Sequence, residues 1–152
     1  MKKSLNTFCL FCIFLSAQLF SESLILNPKQ ILNVETGGIY QSQILIENGI
    51  IIKIAKDLSE ENKNTKLINL PKLTLLPGLM DSHVHLIGNT ELKGYKSLGE
   101  SSYLSTIYGV VNAKKTLLAG FTTIRNVGAG NYSDVSLKQA IKSNTIIGPT
   151  MI

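Results

Sequence analysis

The chain has 152 residues, about the size of one domain, with 44% hydrophobic and 16% charged residues. That balance excludes a disordered, collagen-like or low-complexity polypeptide. Fifteen basic against ten acidic residues give a net charge of +5, but fourteen of the fifteen are scattered lysines and Arg125 is the only arginine. A nucleic-acid interface clusters such charge or interleaves it with aromatic residues, so the excess reads as solvated surface and no nucleic-acid partner is expected.

Met1-Lys2-Lys3, a largely apolar run from Phe8 to Phe20, and then Ser21, Glu22 and Ser23 have the layout of a secretory leader. The run is shorter than the roughly 20 residues of a membrane span. Residues 1–23 therefore read as a signal peptide, cut after Ser21 or Ser23, rather than as a retained anchor. The expected location is periplasmic or secreted, with no stable membrane span once the leader is removed. Both cysteines, Cys9 and Cys12, fall inside the leader, so the mature chain is expected to have neither disulfide nor thiolate chemistry.

Residues 24–74 read as a small antiparallel β unit. Ile31 to Val34 is a short apolar run ended by Gly37-Gly38. Ile44-Leu45-Ile46 and Ile50 to Ile54 flank Asn48-Gly49, a strong hairpin signal because both turn positions need positive φ. Ser59 to Lys66 reads as a polar surface loop, and Leu67-Ile68 and Leu73 to Leu76 as two further short strands. From residue 75 the texture alternates. Leu75 to His85 is strand-like, and a Gly- and Lys-containing loop follows from Gly88 to Gly99. Tyr103, Leu104, Ile107, Tyr108, Val111, Leu117 and Leu118 fall near helical spacing between a Ser101-Ser102 cap and Gly120. Phe121 to Val127 reads as a strand, Asp134 as the cap of a helix ending at Asn144, and Thr150-Met151-Ile152 as the start of another strand. This is the βα repeat of a parallel sheet or barrel. A (β/α)₈ barrel takes about 250 residues, so only its beginning is expected here.

His83 and His85 are the only histidines. On a strand, positions i and i+2 share a face, so the two imidazoles converge. Imidazole is a common ligand of zinc-type metals, and two of them make the smallest useful clamp. A pair of ordinary surface or core histidines is the competing reading.

The segment Pro77-Gly78-Leu79-Met80-Asp81-Ser82-His83-Val84-His85 resembles the P-G-[LIF]-[IVM]-[DN]-x-H-x-H signature of the amidohydrolase superfamily. Leu45 to Ile51 is similar to that family's N-terminal β unit. Gly120-Phe121-Thr122-Thr123-Ile124-Arg125-Asn126-Val127-Gly128 is similar to the GxTTxRDxG strand of its imidazolonepropionase-like and exported prolidase-like branch. Leu137 to Ile141 followed by Gly148-Pro149 fits what comes next there, so the resemblance spans nearly all of residues 30–152.

The resemblance implies an α/β fold: a small N-terminal β-sandwich unit, then the first βα repeats of an incomplete TIM-like barrel over residues 75–152. It implies a metal-dependent hydrolase of C–N bonds in amides, cyclic amides or dipeptide-like small molecules, using one or two divalent ions, commonly Zn²⁺. His83 and His85 correspond to metal ligands. Asp81 is either a partner behind those ligands or a strand-end hydrogen bonder. The family's remaining ligands and its proton-transferring aspartate sit on later strands, with no counterpart in these residues. No catalytic residue is therefore assigned, and the chain as given is expected to be a truncated N-terminal part that does not catalyse. Asn126 stands where the branch has Asp, which puts an ion-pair role there in doubt, and Arg125 fits a structural strand-end role better than a catalytic one. The alternative is a short exported module, binding or vestigial, with no catalysis.

Overall fold

A computed structural model describes residues 23–58, 60–61 and 65–152. The leader reading and both cysteines lie outside the described residues. The chain divides into two compact units, one ending at Leu75 and the other running from Leu76 to Ile152.

The first unit is a five-stranded sheet of β1 (Ser23–Leu32), β2 (Ile39–Tyr40), β3 (Gln43–Glu47), β4 (Ile50–Ala55) and β5 (Lys66–Leu75). The hairpin signal holds. Glu47 pairs with Ile50, and Asn48 and Gly49 take φ of 51° and 78°, the mirror-image turn whose twist suits two antiparallel strands. Ile25, Leu45 and Leu58 form the core, with Ala55 packed against it.

The expectation of an all-antiparallel unit needs correction. β2 and β3 pair antiparallel with β1, but β5 runs parallel to it from Leu24↔Lys66 to Ile31↔Leu75. Nor are there two short strands around Pro71. β5 is one strand with a register shift, its partners stepping from Leu70 to Thr74 while β1 steps from Pro28 to Gln30. Proline has no N–H for a ladder and is tolerated at such a bulge. On either side the register is pinned by side chains, Asn27 Nδ2 to Asn69 Oδ1 and Gln30 Nε2 to Thr74 Oγ1, both at 2.8 Å. The run Ile31 to Val34 is also no separate strand: β1 ends at Leu32, and Asn33 Oδ1 turns the chain by accepting the Glu35 and Thr36 N–H groups.

The second unit is an α/β layer. Strands β6 (Leu79–Val84), β7 (Phe121–Asn126) and β8 (Thr150–Met151) form a parallel sheet in that order, joined by α1 (Ser102–Leu118) and α2 (Ser133–Lys142). Parallel neighbours require crossovers, and the two helices provide them. Ser101 caps α1 by accepting the Leu104 N–H on its hydroxyl, and Gly120 at φ 99° lets the chain turn into β7. The second cap differs from expectation. Tyr132, in a left-handed conformation, precedes α2 without a side-chain cap, and Asp134 lies inside the first turn. Ile124 of β7, Met151 of β8, Ala113 of α1, Leu137 of α2 and Leu86 make the core, with Val84 packed against it.

Together the units give an N-terminal β unit followed by the opening βα repeats of a barrel. Among the described residues no helix is long and apolar enough to cross a membrane.

Candidate functional site

Strand alternation at the end of β6 decides where the histidines go. Val84 and Leu86 pack into the helix-covered core. His83 and His85 therefore project from the opposite side of the sheet, and both are exposed. Their ring centroids are 5.6 Å apart with planes at 68°. Among the described residues neither imidazole has a hydrogen bond or an ion pair, so their nitrogens are open to a ligand.

Asp81 belongs to the same strand but does not reach the rings. Its Oδ1 accepts the backbone N–H of His83 at 3.0 Å, which steadies the strand where the first imidazole leaves it. Arg125 on β7 is exposed and has no ion pair among the described residues. Asn126 is the residue whose importance sequence reasoning missed. It accepts the Leu86 N–H at 2.9 Å, and so continues the link between β6 and β7 beyond the last backbone pair, Val84↔Asn126. The loop after β6 is tied down in turn by Asn112 of α1, whose Nδ2 donates to the carbonyls of Leu86 and Gly88 at 2.8 and 3.0 Å.

Two convergent, unpartnered imidazoles fit a divalent metal in donor chemistry, since neutral imidazole is a good ligand for zinc. They do not complete a site. Among the described residues no group of three or more His, Cys, Asp or Glu side chains gathers, whereas ordinary zinc sites have three or four protein ligands. What the geometry can do alone is hold an ion by two points at the carboxyl end of a parallel strand, the end where barrel enzymes place their chemistry.

The pattern described as Amidohydrolase family matches residues 74–152, more than half of the chain and all of the second unit. The chain belongs to the amidohydrolase family. It is 33% identical over 64 residues to adenine deaminase 1 of Latilactobacillus sakei, a match covering 41% of this chain and 11% of that protein. It is 44% identical over 46 residues to the dihydroorotase of Syntrophus aciditrophicus, covering 30% of this chain and 11% of that one. Among solved structures, a Xaa-Pro dipeptidase crystallised with methionine in its active site superposes with a TM-score of 0.74 at 27% identity, over 86% of this chain and 32% of that one. The amidohydrolase fold thus extends over both units. The chain spans about a tenth of the length of the curated relatives it matches and about a third of the solved one.

Proposed function

We propose that this amidohydrolase-family chain forms the part of a metal-dependent hydrolase that carries the first two metal ligands, His83 and His85. The hydrolase would act on C–N bonds of amide, cyclic amide or dipeptide-like small molecules. The observation that carries the reading is the pair of unpartnered imidazoles converging at the end of β6, inside the segment that matches the family. The dihydroorotase, allantoinase and Xaa-Pro dipeptidase among the chain's relatives support the substrate class.

His83 and His85 would hold a divalent ion such as Zn²⁺, which imidazole suits, while Asp81 keeps the His83 backbone in place. Bound there, such an ion supplies Lewis acidity towards a carbonyl and activates water near neutral pH. The 152 residues contribute no third or fourth histidine. By themselves they are therefore proposed to bind metal weakly and to hydrolyse nothing. The protein is further proposed to be exported, on the strength of the basic start and apolar run of residues 1–23.

Calorimetric titration of metal-free protein with zinc tests the metal reading. Wild type is expected to bind weakly, and His83→Ala and His85→Ala each to lose most of that affinity, because one imidazole cannot chelate. Equal affinity in all three proteins would remove the histidines as ligands. Export is checked by N-terminal sequencing after expression in a Gram-negative host. A product beginning at residue 22 or 24 is expected, and a cytoplasmic product that keeps Met1-Lys2-Lys3 would refute it.

A further inference from the structure

One side chain ties the strand of the histidines to the next strand and to the helix beyond. Asn126 Oδ1 accepts the Leu86 N–H at 2.9 Å, while its Nδ2 donates to the Gly128 carbonyl at 3.1 Å and to Asp134 Oδ2 at 3.2 Å. The chemistry of the three partners sets the orientation of the amide. An N–H must meet the oxygen, and a carbonyl and a carboxylate must meet the NH₂.

Both backbone partners bear on His85. Leu86 is the residue after it, and Gly128 lies beside its ring: a Cβ placed on Gly128 would stand 3.3 Å from His85 Cε1 and 3.4 Å from Nδ1. Asn126 thus holds the backbone that carries the imidazole and the backbone that the imidazole lies against. Aspartate at this position would still accept the Leu86 N–H. Ionised, it would donate to neither the Gly128 carbonyl nor Asp134, and it would set a second negative charge beside the Asp134 carboxylate. Asparagine here is therefore a connector with two working ends rather than an aspartate that has lost its charge.

We infer that Asn126 is a positioning residue for His85, its amide anchored on Asp134 of α2 and fixing the Leu86 and Gly128 backbone so that the imidazole keeps one orientation. An exposed imidazole otherwise samples several rotamers. Holding it in one spares a ligand that cost, and partners behind metal ligands typically change metal affinity by about 10–100-fold. The effect on metal rests on the proposed role of His85, whereas the orientation of the ring does not.

The test uses the 152-residue protein, metal-free and titrated with zinc chloride. Two variants separate the possibilities: Asn126→Leu, of similar size but without hydrogen bonds, and Gly128→Ala, which adds one methyl at a position outside the left-handed region. In the metal-free wild type, NMR is expected to show a cross-peak between the His85 ring Hε1 and the Gly128 Hα. Asn126→Leu should lose that cross-peak and bind zinc about tenfold more weakly. A purely structural role would lower the Tm of Asn126→Leu but leave the cross-peak intact in the folded protein, and that result overturns the inference. Should Asn126→Leu fail to fold, Gly128→Ala decides. Displaced His85 ring resonances and weaker zinc binding support the inference, and unchanged ones overturn it. If wild type binds no zinc, the metal reading falls, and the fate of the ring cross-peak in Asn126→Leu still decides the positioning role.

Discussion

Gly78 and Thr122 come from the two segments that most resemble the family, and the fold puts them against each other. A Cβ on Gly78 would overlap Thr122 Oγ1 and Cγ2, far inside contact distance. The glycine before β6 is thus required by close approach, not by a turn. Gly78→Ala is expected to destabilise the protein by about 1–3 kcal/mol, the usual cost of overpacking. Adding Thr122→Gly should recover part of that loss, because residues in contact are not additive. Urea denaturation of the single and double variants measures this, and strictly additive changes would show that the two residues do not meet. At this scale the sequence was readable where chemistry is local. The spacing of His83 and His85 announced a shared face, and the rings do converge. Asn126 was opaque, because its three partners, Leu86, Gly128 and Asp134, are assembled by a parallel strand pair and a helix start that no local pattern encodes.

Elements bounded by their own chemistry were the legible ones. Asn48-Gly49 specified a two-residue turn, and Ser101 with Gly120 marked both ends of α1. The Ser101 hydroxyl accepts one of the first free N–H groups of the helix, that of Leu104 at 3.2 Å. Ser101→Ala is therefore expected to cost about 1 kcal/mol. A shift in the midpoint of chemical denaturation reads this, and no shift would show that solvent serves the helix end equally well. Where elements depend on distant partners, the reading failed in two instructive ways. Leu67-Ile68 and Leu73 to Leu76 looked like two short strands, yet they belong to one strand that pairs with β1 on both sides of Pro71, the irregularity absorbed as a bulge. Asp134 looked like a cap, yet Tyr132 in a left-handed conformation precedes the helix and Asp134 lies in its first turn, where Oδ1 accepts the Val135 N–H and Oδ2 the Asn126 amide. The parallel sense of β1 and β5 was invisible for the same reason, since it joins segments some forty residues apart.

Over the whole molecule, the length of its relatives matters less to its behaviour in solution than the surface it presents. β4 pairs with β3 along one edge and, among the described residues, with nothing along the other. Ile50, Ile51, Ile52 and Ile54 on this strand are 65%, 57%, 54% and 47% exposed. A strand with a free edge and four exposed isoleucines is a template for pairing with another chain, and natural proteins blunt such edges with charge or proline. Lys53 is the one charged residue on β4, and it is already engaged with Glu61. The net charge of +5 gives some mutual repulsion, but screening limits it to about 8–10 Å at physiological salt, too short to keep apolar edges apart once they meet. The 152-residue protein expressed alone is therefore expected to be poorly soluble and to self-associate with rising concentration. Ile50→Lys together with Ile52→Lys places charge on the exposed strand without touching the Ile25–Leu45–Leu58 core. This pair should raise the soluble fraction and lower the light-scattering mass towards that of a monomer, with far-UV circular dichroism unchanged. If the double variant scatters as strongly as wild type, β4 is not the sticky edge.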